Sequence, residues 1–482
     1  MDQYPMFING ERSDAVEGAW FETENPYQGK SWAMVARGTS KDVDKAVKAA
    51  HKAGIEGEWP KTSAQTRGRM LTKLGDLILQ NVEPLAHAEM RDNGKCVTEV
   101  IGQMETMAAW YHYYGGLADK IEGQVIPADE QNFLTFTRYE PLGVVAAITP
   151  WNSPLRLMAW KIAPALAAGN TIVVKPSEFT STSTLEFTKL IQEAGFPNGV
   201  VNVVTGLGKE VGTPLATHPL VAKVSFTGGV AAGIEVYKAA SADMKRVTLE
   251  LGGKSPNIIF TDADLGQACV GAVDGIFGST GQTCIAGSRL LVHEDVHDEV
   301  VERIVDIASR RRLGDPSDPE TQIGPVANRP QYDRIMDYIN VAKSDGASLT
   351  LGGKPSNLPE CGDGLFIEPT IFTGVSNEMR IAQEEVFGPV LSVLTFKDED
   401  DAVAIANDIQ FGLAAGVWTR DVGLAHRMAN RIKAGTVWIN TYRRNSPAVP
   451  FGGFKKSGLG RESGMEMVKD NLQVKTTWVN LQ

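Results

Sequence analysis

Cys284 is the side chain of this sequence whose surroundings best suit a nucleophile. It lies in the segment GSTGQTCIAGS (278–288), where glycines and small side chains leave room for a substrate to reach the sulfur. Cys269 lies instead on an apolar helical segment, Cys361 in a polar loop and Cys96 after a turn. A free cysteine is commonly just a small buried side chain, so this segment alone leaves the structural and the nucleophilic interpretations open.

Two segments that follow predicted strands could hold a cofactor. Lys175 and Glu178 come at the end of the strand TIVVKP, and ligands of open α/β sheets bind at the carboxyl ends of strands. These side chains could contact ribose hydroxyls, although a solvated ion pair is the alternative. The segment GLGKEVG (206–212) could bring backbone N–H groups to a pyrophosphate. Its spacing is GxGxxxG, so the ordinary dinucleotide fingerprint is not supported and a ligand-free connection is the alternative.

Two further motifs do not predict the sites that they resemble. HEDVH (293–297) matches HExxH, but His293 ends a strand and the helix begins near Asp295, so the two imidazoles would not share a helical face. LGGKSP (251–256) would complete a phosphate-binding loop only with glycine at the position of Thr248. We therefore predict neither a metal site nor such a loop.

The composition indicates a globular protein without a nucleic-acid partner. The 482 residues include 47 lysines and arginines and 58 aspartates and glutamates, and the net charge of −11 does not suit a phosphate backbone. The four cysteines form no CxxC pair, which predicts no disulfide framework and a reducing compartment. The N-terminus is unlike a signal peptide and no apolar run approaches ~20 residues, so we predict a cytoplasmic protein without membrane contact.

Two alternating series of strands and helices must position the candidate side chains. Helical spacing runs from about Lys41 to about residue 118. Strand, helix, strand, helix and strand follow from 133 to 206, which predicts a parallel sheet covered by helices. A second such series starts near residue 251. The segment VKTTWVNL (474–481) is a lone strand that must pair with another region or another subunit.

Seven motifs, taken in their order along the chain, identify a family. They are ITPWNSP (148–154), KPSE (175–178), FTGG (226–229), LELGGKSP (249–256), GQTC (281–284), EEVFGPV (384–390) and PFGGFKKSGLGRESG (450–464). In this order they resemble the aldehyde dehydrogenase superfamily, in its non-acylating, NAD(P)-dependent branch, over most of the chain.

The resemblance implies an α/β fold with three parts. A Rossmann-like cofactor domain would comprise residues 1–118 and 140–250, and an α/β catalytic domain would comprise residues 251–455. A small β oligomerisation element would comprise residues 119–139 and 465–482, so a homodimer or homotetramer is expected.

The resemblance also implies roles for the motif residues. Cys284 is the expected nucleophile, Glu250 the general base, and Asn152 the oxyanion donor beside the Cys284 backbone N–H. NAD is the expected cofactor, with NADP possible. Its expected contacts are Thr149, Pro150, Trp151, Lys175, Ser177, Glu178, Gly208, Gly212, Phe226, Thr227, Gly228, Gly229, Leu251, Gly252, Glu385 and Phe387.

These residue types suit the oxidation of an aldehyde to a carboxylic acid. A thiolate adds to the carbonyl, and the resulting oxyanion needs preorganised donors such as Asn152. A thioester remains after hydride transfer, and Glu250 can deprotonate the water that hydrolyses it, with room to move beside Gly252 and Gly253. Members that pass the acyl group to coenzyme A generally lack this carboxylate, so hydrolysis is predicted.

Two positions refine the cofactor prediction. Gly229 stands where many members have serine, which leaves only backbone N–H for the pyrophosphate there. Glu178 favours NAD over NADP, because a carboxylate beside the ribose would repel a 2′-phosphate.

The substrate pocket that the resemblance implies is polar. Its residues are Ser153, Arg156, Leu157, Trp160, Thr283, Ile285, Asn445 and Phe451, with Arg443 and Arg444 at the entrance. Ser153 and Asn445 stand where many relatives have aromatic side chains. We therefore predict an aldehyde with a remote carboxylate, hydroxyl or amide, such as a semialdehyde, for which the arginines are candidate anchors. The alternatives are a plain aliphatic or aromatic aldehyde, and a non-catalytic structural or binding member of the same fold.

Overall fold

The first of two large sheets collects four of the seven motifs along one edge. The computed structural model describes residues 1–482. In spatial order the strands of this sheet are Gly458–Leu459, Arg246–Glu250, Val221–Thr227, Val144–Ile148, Thr171–Lys175, Val201–Val203, Met6–Ile8 and Glu11–Ser13. The strands from Arg246–Glu250 to Val201–Val203 are parallel, and the outer ones are antiparallel.

The central strands form because their residues are apolar on both faces. Every residue of Val144–Ile148 and of Thr171–Lys175 is buried, as expected for parallel strands covered by helices on both sides. Ile148 is in register with Lys175 and with Phe226, so neighbouring strands end at the same level. The segments that follow these strands therefore lie side by side at the carboxyl edge.

The second large sheet begins directly after that edge. In spatial order its strands are Ser348–Leu351, Thr370–Thr373, Val390–Phe396, Arg289–His293, Pro256–Ile259, Ala414–Trp418 and Thr436–Ile439. All neighbours are parallel except the first pair. The segment 251–255 connects Glu250, the last residue of a first-sheet strand, to a central strand of the second sheet, so it lies between the two sheets.

Fifteen α-helices accompany the sheets. They are Ser40–Ile55, Ala64–Gln80, Val82–Asn93, Val97–Leu117, Pro154–Ala167, Thr182–Ala194, Thr213–Thr217, Val230–Ser241, Leu265–Phe277, His297–Ser309, Arg329–Ser344, Arg380–Gln383, Glu399–Asn407, Val422–Arg431 and Gly464–Asp470. The helical spacing predicted from about Lys41 corresponds to the first four of these. No helix combines the length and the apolar character needed to cross a membrane.

A third sheet projects from the two larger ones. Leu472–Asn480 pairs antiparallel with Phe133–Pro141, which also pairs with Val125–Ile126. The lone C-terminal strand therefore finds its partner in another region of the same chain.

The sequence analysis assigned no elements to the N-terminal strands. A small sheet is formed there by Asp2–Tyr4, Lys30–Ala36 and Trp20–Asn25, and two more N-terminal strands extend the first large sheet. Three of the five N-terminal strands have only three residues, which is too short for an alternating pattern to be recognised.

Candidate active site

Cys284 follows a backbone turn of unusual conformation. Ser279, Thr280 and Gly281 have φ angles of +56°, +54° and +70°, in the left-handed region that side chains other than glycine rarely adopt. The buried Glu99 carboxylate accepts a hydrogen bond of 2.8 Å from the Ser279 backbone N–H and another from its hydroxyl. Strained backbone of this kind persists where surrounding contacts hold it, and it is common at functional sites.

The Cys284 thiol is protonated at neutral pH in this structure. Burial, which is the largest cause, and the nearby Glu250 and Glu385 carboxylates together raise its pKa to about 12, whereas the backbone N–H groups of Cys284 and Ile285 oppose the shift. A thiolate is the reactive form, so this sulfur needs a base within its own site.

Glu250 is a buried carboxylate at the end of the strand Arg246–Glu250. It is only 4% exposed, and neither carboxylate oxygen has a hydrogen-bond partner. Burial and the neighbouring Glu462 raise its pKa well above the ordinary value, against the opposing effect of Lys161. A Cβ atom at Gly452 would lie 2.7 Å from the Glu250 Oε1, so the absence of a side chain there gives the carboxylate its space.

The expectation that Gly252 and Gly253 make room for Glu250 was wrong. A Cβ atom at Gly252 would lie 2.2 Å from Oε2 of Glu385, and one at Gly253 would lie 2.5 Å from the carbonyl oxygen of Cys284. These glycines instead let the segment between the two sheets pass close to Glu385 and to the backbone of Cys284.

Asn152 is held from both sides in the segment before the helix Pro154–Ala167. Its side-chain Nδ2 donates to the carbonyl oxygen of Gln282 at 2.9 Å. Its own carbonyl oxygen accepts a hydrogen bond of 2.5 Å from the buried Lys95 Nζ, which also donates to Ser153 Oγ at 2.7 Å. The Asn152 side-chain amide is thus held by Gln282, which lies two residues before Cys284. Its second N–H is free to donate a hydrogen bond to a ligand.

Three connected cavities meet at Cys284, which we describe as a groove and a tunnel. The groove consists of a cavity of about 560 Å³ that contains Asn152, Glu250 and Cys284, continued by one of about 450 Å³. The tunnel is a cavity of about 300 Å³ that shares Asn152, Leu157 and Cys284 with the groove. The thiol therefore lies between two spaces, each of which can hold a separate molecule.

All the residues expected to contact the cofactor line the groove. Near its outer end are Thr149, Pro150, Trp151, Lys175, Ser177, Glu178, Gly208, Gly212, Phe226, Thr227, Gly228 and Gly229. Nearer the thiol are Leu251, Gly252, Glu385 and Phe387.

The outer end of the groove fits a ribose and a pyrophosphate. Lys175 Nζ lies 3.2 Å from Glu178 Oε2, and both face the cavity. Gly229 caps the helix Val230–Ser241 without a side-chain hydrogen bond, so the first N–H groups of that helix are free for an anion. A Cβ atom at Gly229, Gly208 or Gly212 would meet nothing within 4 Å, which leaves the cavity open at these positions.

The inner end of the groove carries a second carboxylate. Glu385 Oε1 accepts a hydrogen bond of 2.8 Å from the Gly253 N–H, and burial raises the pKa of this carboxyl to about 7. Phe387 has a φ of +61° and packs edge-on against Trp151, with ring centroids 5.3 Å apart.

The residues that hold the segment 385–387 in place were not predicted from the sequence. Gln331 donates to the carbonyl oxygens of Val386 and Phe387 at 2.8 and 3.0 Å, and Arg334 donates to that of Glu385 at 2.9 Å. Both belong to the helix Arg329–Ser344. Polar residues on an exposed helical face carried no signal of this role.

The ten residues expected to form the substrate pocket all line the tunnel. They are Ser153, Arg156, Leu157, Trp160, Thr283, Ile285, Arg443, Arg444, Asn445 and Phe451. Five further lining residues were not predicted: Glu99, Gly102, Gln103, Thr106 and Ser279. Four of them, all but Ser279, lie at helical spacing in Val97–Leu117. A stripe of polar and small residues on a largely apolar helix is the signal that could have indicated them.

Comparison with known proteins shows one consistent relationship. Residues 13–477 match the model of the aldehyde dehydrogenase family. An aldehyde dehydrogenase from Aspergillus niger is 47% identical over 477 residues, which cover 99% of this chain and 95% of that protein. The crystal structure of a putative aldehyde dehydrogenase from Burkholderia cenocepacia is 45% identical, with a TM-score of 0.98 over 100% of this chain and 98% of the other.

A second solved structure adds a cofactor. Betaine aldehyde dehydrogenase from Staphylococcus aureus, in complex with NAD⁺, is 40% identical, with a TM-score of 0.98 over 99% of this chain and 95% of the other. The predicted α/β fold and the predicted cofactor are confirmed by these similarities.

Proposed function

Because this chain belongs to the aldehyde dehydrogenase family and is an enzyme that oxidises an aldehyde with NAD, we propose that it acts through a covalent intermediate on Cys284 and releases a free carboxylic acid. One observation carries this proposal: Cys284, Glu250 and Asn152 line the cavity where the groove meets the tunnel. A purely structural or binding member would have no need of this combination.

Each of the three residues has a distinct role in the proposed mechanism. A carboxylate of the same cavity, Glu250 or Glu385, accepts the proton of the Cys284 thiol, and Sγ adds to the carbonyl carbon. The Asn152 side-chain N–H and the Cys284 backbone N–H donate hydrogen bonds to the oxygen that becomes negative. Bound NAD supplies the hydride acceptor. The thioester left on Cys284 is attacked by water, from which Glu250 accepts a proton, and the bond to sulfur breaks to release the acid.

We propose contacts for NAD from the chemistry of the groove. Lys175 and Glu178 would hold the adenosine ribose, the N–H groups after Gly229 the pyrophosphate, and Glu385 the second ribose. The Glu178 carboxylate supports a preference for NAD over NADP, because it would repel a 2′-phosphate.

The tunnel supports an aldehyde with a polar tail as the substrate. Its walls include the polar side chains of Glu99, Gln103, Ser153, Arg156 and Asn445. An apolar chain would give the Arg156 guanidinium, which forms no ion pair within the chain, no counter-ion. A plain aliphatic or aromatic aldehyde is the competing possibility.

A direct assay tests the reaction and the cofactor preference together. Incubation with a semialdehyde and NAD is expected to yield NADH and carboxylic acid in equal amounts without coenzyme A. The same assay with NADP at matched concentration is expected to be slower. A requirement for coenzyme A would contradict the hydrolytic step, and faster turnover with NADP would contradict the role of Glu178.

The third sheet supports assembly into a homodimer or homotetramer. We propose that residues 119–139 and 465–482 form an oligomerisation element beside a cofactor domain (1–118 and 140–250) and a catalytic domain (251–455). On this sheet Val125, Val474 and Trp478 are 73%, 59% and 56% exposed, and such apolar surface is typical of an interface. Sedimentation equilibrium is expected to give a dimer or tetramer, and replacing Val474 and Trp478 with serine is expected to shift it towards monomer. A wild-type monomer would contradict the proposal.

The cysteines support a cytoplasmic location. None of the four forms a disulfide, and three of them are buried. We propose a reducing compartment on this ground, since free thiols, including a nucleophilic one, persist there.

A further inference from the structure

Arg156 is a cation in the tunnel wall without an acidic partner. Its guanidinium makes one side-chain hydrogen bond, from Nη2 to the amide oxygen of Asn445. The Nε is buried and has no acceptor. Arg156 is only partly buried, and its guanidinium forms no ion pair with a carboxylate of the chain. A partly desolvated cation without a counter-ion is a favourable place for an anionic ligand.

The other charges of the tunnel are either paired or exposed. Arg443 Nη2 lies 3.6 Å from Glu99 Oε1 and donates to Ser279 Oγ at 3.0 Å. Arg444 is exposed at the mouth and has no side-chain partner. Glu99 is the sole acid among the lining residues, and Arg443 already neutralises it. The tunnel therefore has a positive charge to spare, centred on Arg156.

Aromatic side chains fix the position of this guanidinium. It lies over the ring of Trp110, 5.7 Å from the centroid, and Trp110 stacks on Trp160 with centroids 5.6 Å apart. Phe451 packs against the other side of Trp160 at 5.2 Å. Burial and the charge of Arg443 lower the pKa of Arg156 to about 10, so it stays a cation at neutral pH.

We propose that Arg156 binds a carboxylate at the far end of the aldehyde substrate, so that the preferred substrate is an ω-carboxy aldehyde. This inference rests on the proposed function, because the tail reaches Arg156 only when the aldehyde carbon lies at Cys284. A guanidinium presents parallel N–H donors to a carboxylate, and within the chain only Nη2 of Arg156 donates a hydrogen bond. The substrate carboxylate accepts hydrogen bonds from the Arg156 guanidinium and neutralises its positive charge.

Both ends of the proposed substrate meet residues at the start of one helix. Arg156 is the third residue of Pro154–Ala167, and Asn152, which marks the reacting oxygen, lies two residues before that helix begins, so both line the same tunnel. A short dicarboxylic semialdehyde places a carboxylate near Arg156 while its aldehyde lies at Cys284. A cationic aldehyde is disfavoured, because Arg156 repels it and already covers the face of Trp110.

Three aldehydes of different charge test the inference. Glutaric semialdehyde is anionic, pentanal is a neutral aldehyde with the same number of carbons, and betaine aldehyde is cationic. For the wild-type enzyme with NAD, kcat/KM is expected to fall in that order. In Arg156→Gln, the ratio of kcat/KM for glutaric semialdehyde to that for pentanal is expected to fall roughly 10- to 100-fold, the usual effect of losing a hydrogen bond to a charged group.

Arg12→Gln is the matched control, because it removes the same charge from an exposed position outside the groove and the tunnel. Its ratio is expected to change less than about threefold, as for exposed charges in general. An equal fall of this ratio in the two variants would overturn the inference. It would show that any positive charge of the protein attracts the anionic substrate, rather than a binding site at Arg156. A wild-type preference for pentanal would overturn it as well, with the proposed function intact.

Product inhibition keeps the test independent of how well the variant folds. With wild-type enzyme oxidising pentanal, glutarate is expected to inhibit more strongly than pentanoate, because only glutarate reaches Arg156 with a carboxylate. Equal inhibition would contradict the inference. If none of the three aldehydes were oxidised, the proposed function would fail first and the inference with it.

Discussion

Cys284→Ser is expected to abolish NADH formation while NAD still binds. A serine hydroxyl is a far weaker acid than a thiol, so no base of this site can convert it to a nucleophile at neutral pH. Loss of the nucleophile from a site of this kind lowers turnover by roughly 10⁴-fold or more. The measurement is steady-state NADH formation, together with an NAD titration followed by thermal shift.

Cys269→Ala provides the matched control for that experiment. Cys269 is a buried thiol of the helix Leu265–Phe277 that packs in a core cluster and lines neither the groove nor the tunnel. Its removal is expected to lower the melting temperature slightly and to leave turnover within about twofold, as for a small core truncation. If Cys284→Ser turned over at a rate comparable to that of Cys269→Ala, Cys284 would not be the nucleophile.

The order of strands and helices could be predicted from the sequence because buried parallel strands have a distinctive composition. The runs 144–148 and 172–174 are apolar throughout, and the helix between them has helical spacing and ends near Gly169 and Asn170. These local signals agree with the final packing, so the parallel sheet followed from them. The N-terminal strands gave no such signal, since they are short and partly exposed.

The nucleophile could be predicted from the sequence, but the contacts that hold the turn before it could not. Small residues around Cys284 indicated an open site, whereas the left-handed conformation of Ser279 is held by Glu99, which is 180 residues away in the chain. No local rule predicts such a contact, because it exists only after the helix Val97–Leu117 has been brought next to the turn that follows Leu265–Phe277.

The expected function of Gly252 and Gly253 shows the same limit. Adjacency to Glu250 suggested that these glycines give that carboxylate room, but consecutive residues of an extended segment face different neighbours. Gly452, which does face Glu250, is 202 positions later. Sequence indicated that space was required in this region, and only the tertiary structure shows which atoms use it.

Glu250→Gln is expected to separate the two halves of the reaction. Glutamine has nearly the same size and shape but accepts no proton, so the thioester on Cys284 still forms and its hydrolysis stalls. Rapid mixing with saturating aldehyde and NAD is therefore expected to give a burst of about one NADH per active site, followed by turnover slower by roughly 10²- to 10⁴-fold. Unchanged steady-state turnover would refute the role of Glu250.

The pH dependence supplies an independent signature of the same residue. Burial and Glu462 raise the pKa of Glu250, so its basic form becomes more abundant as pH rises through that raised value. Steady-state turnover of the wild-type enzyme is therefore expected to increase as pH rises through this raised pKa and to level off above it. Glu250→Gln has no such carboxyl, so its slow phase is expected to lose this rise. Persistence of the same rise in Glu250→Gln would assign the base to another group, and Glu385, whose pKa is raised to about 7 in the same cavity, would then be the residue to replace.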